Sequence, residues 1–133
     1  MDNRTFISFY LRSDSIHIFV KALRKIGNPR YVRFLINGDD LKMVMQPHDR
    51  KEFISFRVPA SIYGDKREPR KAFQVRSRAF CALMAARLEW DTSLSYRVPG
   101  EIYPNQKIVR YDLNKAIPIS QPLRSDGWQS IHD

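Results

Sequence analysis

Ile16-His17-Ile18-Phe19-Val20-Lys21-Ala22-Leu23-Arg24-Lys25-Ile26-Gly27 changes its periodicity halfway along. Ile16, Ile18 and Val20 alternate with His17 and Phe19, the two-residue period of a strand that buries one face. From Lys21 to Ile26 helix formers take over, with Leu23 and Ile26 three residues apart. Gly27-Asn28-Pro29 then places a glycine past the helix end and a proline just beyond it, so the helix is held to about two turns. A strand that runs directly into a short helix is the local unit from which the rest of the chain can be read.

Outward on the N-terminal side, Thr5 to Leu11 is rich in aromatic and β-branched residues, and Arg12-Ser13-Asp14-Ser15 is a turn, which predicts a hairpin. On the C-terminal side, Tyr31 to Ile36 and Leu41 to Gln46 flank Asn37-Gly38-Asp39-Asp40, and Asn-Gly between β-rich runs is a strong hairpin signal. The order over residues 1–47 is therefore β-β-α-β-β.

The same order is expected again over residues 48–113. Phe6-Ile7-Ser8-Phe9 recurs as Phe53-Ile54-Ser55-Phe56, and Ile16 to Leu23 matches Phe73 to Phe80 in its apolar, basic and alanine positions. A competing match, Ser55-Phe-Arg-Val-Pro59 with Ser95-Tyr-Arg-Val-Pro99, is read as convergent strand composition. The second unit is expected to have a longer, charged hairpin loop, Gly64 to Lys71, and a strand at Ala72 to Val75. A helix capped by Ser77 follows, with Phe80, Leu83, Met84 and Leu88 on one face. Leu94 to Val98 and Lys107 to Leu113 close the unit across a loop holding Pro99-Gly100 and Pro104-Asn105. Residues 114–133, with Pro118, Pro122 and isolated Leu123, Trp128 and Ile131, read as a flexible tail. Leu123 and Trp128 are its candidate partner-binding anchors, because tryptophan is enriched among binding hot spots.

With 133 residues, 43% of them hydrophobic, the chain can build one core shared by two small halves. Its 23 Lys and Arg against 14 Asp and Glu leave a formal charge of +9, which favours an anionic partner. The single cysteine, Cys81, excludes an internal disulfide and a multi-cysteine zinc site, and it falls within an apolar helical pattern as a core residue. No secretory signal and no run of 18 apolar residues is present, so the expected location is cytoplasmic, with no membrane partner. His17, His48 and His132 are scattered, no glycine-rich phosphate loop exists, and no nucleophile has a convergent base. The expectation is a protein that is not an enzyme and takes no cofactor and no metal.

The stretch Ile16 to Gly27 followed by Tyr31 to Pro47 resembles the AbrB-like (SpoVT/AbrB) swapped-hairpin DNA-binding domain, above all in Ala22-Leu23-Arg24-Lys25-Ile26-Gly27 between two β-runs. Phe19 stands where that family usually has a proline, and Ser15 where it usually has a basic residue. The resemblance implies an α+β, strand-rich fold in which hairpins interleave into one barrel. With two such units in one chain, it implies a single-chain pseudo-dimeric barrel, monomeric or homodimeric, lined by Ile16, Ile18, Val20, Leu41, Met43 and Met45. It further implies DNA binding of the transcription-regulator kind, with an antitoxin-like adaptor module as the alternative. Arg24 and Lys25 match positions commonly basic in the family, while Cys81 and Ala82 stand there in the second unit. The densest positive stretch, Gly64 to Arg78, adds Lys66, Arg67, Arg70, Lys71, Arg76 and Arg78 as candidate phosphate contacts.

Overall fold

The computed structural model describes residues 2–50, 54–64 and 71–119. Nine strands and three helices follow one another as β1 (Arg4–Tyr10), β2 (Ser15–Phe19), α1 (Val20–Lys25), β3 (Tyr31–Asn37), β4 (Lys42–His48), β5 (Ser55–Arg57), α2 (Ser61–Gly64), β6 (Ala72–Arg76), α3 (Arg78–Leu88), β7 (Ser95–Tyr103), β8 (Ile108–Asp112) and β9 (Ile117–Ile119). All the pairings are antiparallel, and the strands form one nearly closed, barrel-like sheet in the order β5-β3-β4-β8-β7-β1-β2-β6, with β9 added to β7. The strand-rich α+β class read from the residues is the class observed.

Alternation decides which side chains fill the barrel. Ile7 and Phe9, Ile16 and Ile18, Val32 and Phe34, Met43 and Met45, Val98 and Ile102, and Val109 and Tyr111 are all buried, each pair separated along its strand by an even number of residues. Of the six residues expected to line the interior, Ile16, Ile18, Val20, Met43 and Met45 are fully buried, and Leu41 packs half-buried against them. Phe80, on α3, meets Phe9 edge-on at 5.3 Å, Phe34 at 5.0 Å and Phe56 at 6.0 Å between ring centroids, so it ties β1 and β3 of the first half to α3 and β5 of the second.

Local signals explain the helix boundaries. Ser77 caps α3 by accepting the Phe80 N–H at 3.1 Å. Phe19 precedes α1 with no side-chain cap, and that helix ends at Gly27, whose φ of 102° suits only glycine.

Three expectations are corrected. The strands at Ser55–Arg57 and Ala72–Arg76 do not pair with each other among the described residues: β5 pairs with β3 and β6 with β2, and the helix α2 intervenes. Pro99-Gly100 lies within β7 rather than in a loop. The N–H of Ile102 points to Asn3 O on the β1 side, so the position without an N–H at Pro99 faces the other edge. There β7 changes partner from β9, paired up to Arg97, to β8, paired from Gly100, and no ladder bond is lost. The hairpin expected across Asn37-Gly38-Asp39-Asp40 is present: Asn37 Oδ1 accepts the N–H groups of Asp39 and Asp40, and Leu41 takes positive φ. Finally, residues expected to open the flexible tail are ordered, with a 3-10 turn at Leu113–Lys115 and the strand Ile117–Ile119 on β7.

Candidate nucleic-acid interface

The ends of the β2–β6 pair set the places of the candidate cations. At one end the Val20 N–H, opening α1, donates to Lys71 O at 2.9 Å; at the other the Ser77 N–H, just before α3, donates to Asp14 O at 2.9 Å. Arg24, Lys25 and Lys71 therefore gather at the α1 end, while Arg76 and Arg78 stand at the opposite end, some 17 Å away by the rise of a five-residue strand. These five candidates form two groups rather than one patch. Lys66, Arg67 and Arg70, and likewise Leu123 and Trp128, lie outside the described residues.

Within the α1 group the side chains are not equivalent. Lys25 Nζ donates to Asp2 O at 2.9 Å and Asn3 Oδ1 at 3.0 Å, and Lys21 Nζ donates to Arg4 O at 3.3 Å. These ammonium groups hold the start of β1 against the helix, and each keeps donors that can also face an anion. Arg4 pairs with Asp2 at 3.1 Å. The Arg4 guanidinium holds the Asp2 carboxyl at about 2. Arg24 and Lys71 are exposed, and they are the cations of this end with the freest access to a phosphate.

Two residues absent from the sequence-based site belong to it by position. Arg4 was hidden from a reading by charge density, because it reaches α1 only through the fold, whereas Lys21 stands on α1 itself, one turn before Arg24 and Lys25. The β1–β7 pairing places Arg97 beside Ser8, and its guanidinium carbon lies 5.5 Å from the centre of the Phe6 ring.

A shallow polar cleft of about 310 Å³ runs along the outer side of β7 and β8, lined among others by Arg4, Lys42, Glu101, Arg110 and Lys115. Lys42 is engaged there with Asp112 at 3.0 Å, a hydrogen bond that holds the Asp112 carboxyl below its ordinary range. Cys81 is buried, and burial, aided by the nearby Asp14 carboxylate, pushes its thiol up to about 12. A thiol so raised stays protonated at neutral pH and is a poor nucleophile. Among the described residues, no three His, Cys, Asp or Glu side chains converge as a metal site, and no helix is long and apolar enough to cross a membrane. No protein-family model, no curated protein and no solved structure matches the chain.

Proposed function

We propose that this chain is a non-enzymatic nucleic-acid-binding protein built as a single-chain pseudo-dimer of AbrB-like swapped-hairpin units. The observation that carries the reading is the behaviour of the strand pairings when the halves are exchanged. Relabelling β1 to β4 as β5 to β8, and the reverse, turns β1·β7 into β5·β3, β3·β4 into β7·β8, and β2·β6 and β4·β8 into themselves. Among the described residues, β1·β2 and the added β7·β9 have no counterpart. In each half, the first strand completes the other half's last hairpin, which is the interleaving expected of swapped hairpins.

Registers agree residue by residue. Asn37 and Lys42 flank the first turn as Tyr103 and Ile108 flank the second, and Leu41 and Lys107, the matching last turn residues, both take positive φ. Met43 faces Tyr111 and Met45 faces Val109, pairs that the exchange converts into each other. The two end bonds, Val20 to Lys71 and Ser77 to Asp14, also interchange, which supports the match of Ile16–Leu23 with Phe73–Phe80. The repeated Phe-Ile-Ser-Phe is out of register: Ile7 opposes Val98 and Phe56 opposes Val32, so Ile7 corresponds to Phe56 rather than Ile54. That tetrapeptide repeat reflects strand composition.

The nucleic-acid part of the reading rests on the +9 charge and on the α1 end, where Arg4, Lys21, Arg24, Lys25 and Lys71 outnumber Asp2 and Glu101. Four phosphates neutralised there imply a loss of roughly 100-fold in affinity between about 50 and 200 mM salt. Fluorescence anisotropy with a labelled mixed-sequence DNA tests it, using the wild type and a variant with Arg24, Lys66, Arg67, Arg70 and Lys71 changed to Gln. Binding that weakens steeply with salt and in the variant is expected. Absence of binding at low salt, or binding indifferent to salt, refutes the reading.

A further inference from the structure

We propose that the outer face of β1 and β2 is a stacking platform for single-stranded nucleic acid, which names the ligand class of the function proposed above and rests on it. Outward positions on a half-buried antiparallel strand are ordinarily polar. Here they carry Phe6 and Tyr10 on β1, and His17 and Phe19 on β2, all half-buried. The barrel does not need these rings, because Phe9, Phe34, Phe80 and Tyr111 already fill its interior.

The rings form two adjacent pairs. Phe6 and Phe19 meet edge-on, 6.2 Å apart, and Tyr10 and His17 are 4.6 Å apart. Between the pairs stands Ser8, opposite His17 on one side and Arg97 on the other, and its own small side chain is buried. Burial lowers the pKa of His17, so at neutral pH it presents a neutral ring.

Charge complementarity identifies the occupant. Arg97 lies over Phe6, and its Nε is buried with no hydrogen-bond partner among the described residues. Arg76 flanks the Tyr10 end through its pairing with Ser15, and Lys21 and Lys71 flank the Phe19 end. Rings bordered by cations suit a strand whose bases stack while its phosphates reach the rim. A duplex keeps its base faces stacked inside and cannot use such rings.

The test uses the full chain with a fluorescein-labelled oligothymidylate and a duplex of equal length. The Tyr10→Leu/Phe19→Leu variant removes two rings while keeping apolar bulk. In the wild type, photocrosslinking of a 5-iodouracil-substituted strand, mapped by mass spectrometry, reads the contact without any substitution. Expected are tighter binding of the single strand, a loss of roughly tenfold per ring removed, and crosslinks at Phe6, Tyr10, His17 or Phe19. Equal binding of single strand and duplex with crosslinks elsewhere overturns the platform and leaves the charge-based function standing. If neither DNA binds at low salt, both fall. If the double variant does not fold, the wild-type crosslinks decide.

Discussion

Replacing Gly100 with alanine tests whether the interior of the barrel is as full as its geometry indicates. Gly100 is not among the residues with positive φ, so alanine is conformationally acceptable, and in a strand it should stabilise by about 0.5–1 kcal/mol in the absence of other effects. Space decides otherwise. A Cβ at Gly100 would lie 2.5 Å from Tyr111 Cδ1, 2.9 Å from Tyr111 Cε1 and 3.1 Å from Arg110 O. Tyr111 faces Gly100 across the β7–β8 ladder and is fully buried, so its ring cannot swing into solvent to relieve the contact. Overpacking of this kind costs about 1–3 kcal/mol, which leaves a net loss of up to about 2.5 kcal/mol, and about 1.3 kcal/mol at the midpoints, once the backbone gain is subtracted. For a domain of this size that lowers the melting temperature by roughly 3–10 °C. Thermal unfolding followed by circular dichroism measures it, and the same substitution in the Tyr111→Leu background isolates the contact. There the clash is gone, and Gly100→Ala should be neutral or stabilising. Alanine raising the melting temperature of the wild type, or costing the same in both backgrounds, refutes the reasoning.

Three further outcomes follow from the same geometry. Ser77→Ala removes the side-chain acceptor of the Phe80 N–H and should cost about 1 kcal/mol in urea unfolding, whereas Ser77→Asp should keep most of the stability; equal losses from both would refute the capping role. Asp2 titrates at about 2 in the folded chain against 3.8 ordinarily, so the folded state binds its proton more weakly than the unfolded chain. Its stabilising effect is complete above pH 3.8 and fades as the pH falls toward 2, a window that NMR titration of the Asp2 carboxyl should reveal, with a smaller loss of stability across it in Asp2→Asn than in the wild type. Cys81, buried and raised to about 12, should resist a thiol reagent at pH 8 until denaturant is added; rapid labelling of the native protein would contradict its burial.

The parts of this fold that could be read from the residues are those decided by neighbours in sequence. The change of period at Val20, the stop at Gly27 and the cap at Ser77 each depend on a few adjacent side chains, and each stands where it was read. Strand partners depend on residues far apart. Nothing local to Phe6-Ile7 announces Pro99 and Val98 as their neighbours, and Pro99-Gly100 carries a turn signal that is overridden because β7 changes partners there. The charge-dense segment preceding β6 drew attention because its cations are contiguous. Arg4 reaches α1, and Arg97 reaches Phe6, only through long-range pairing, so the sequence could not place either of them there. Strand parity places Phe6 and Tyr10 outside while Ile7 and Phe9 go in.

The pairing of β1 with β7 also governs how this protein is made. Ser8 leaves the ribosome roughly 90 residues before its partner Arg97, a delay on the order of 5–20 s at ordinary rates of synthesis. Throughout that interval β1 lacks the neighbour that covers one of its edges, and loop closure over such a distance makes the final pairing slow. A nascent chain in this state is a natural client for holding chaperones. Synonymous changes that slow translation before Ser95 should therefore lower the soluble yield without altering a single side chain.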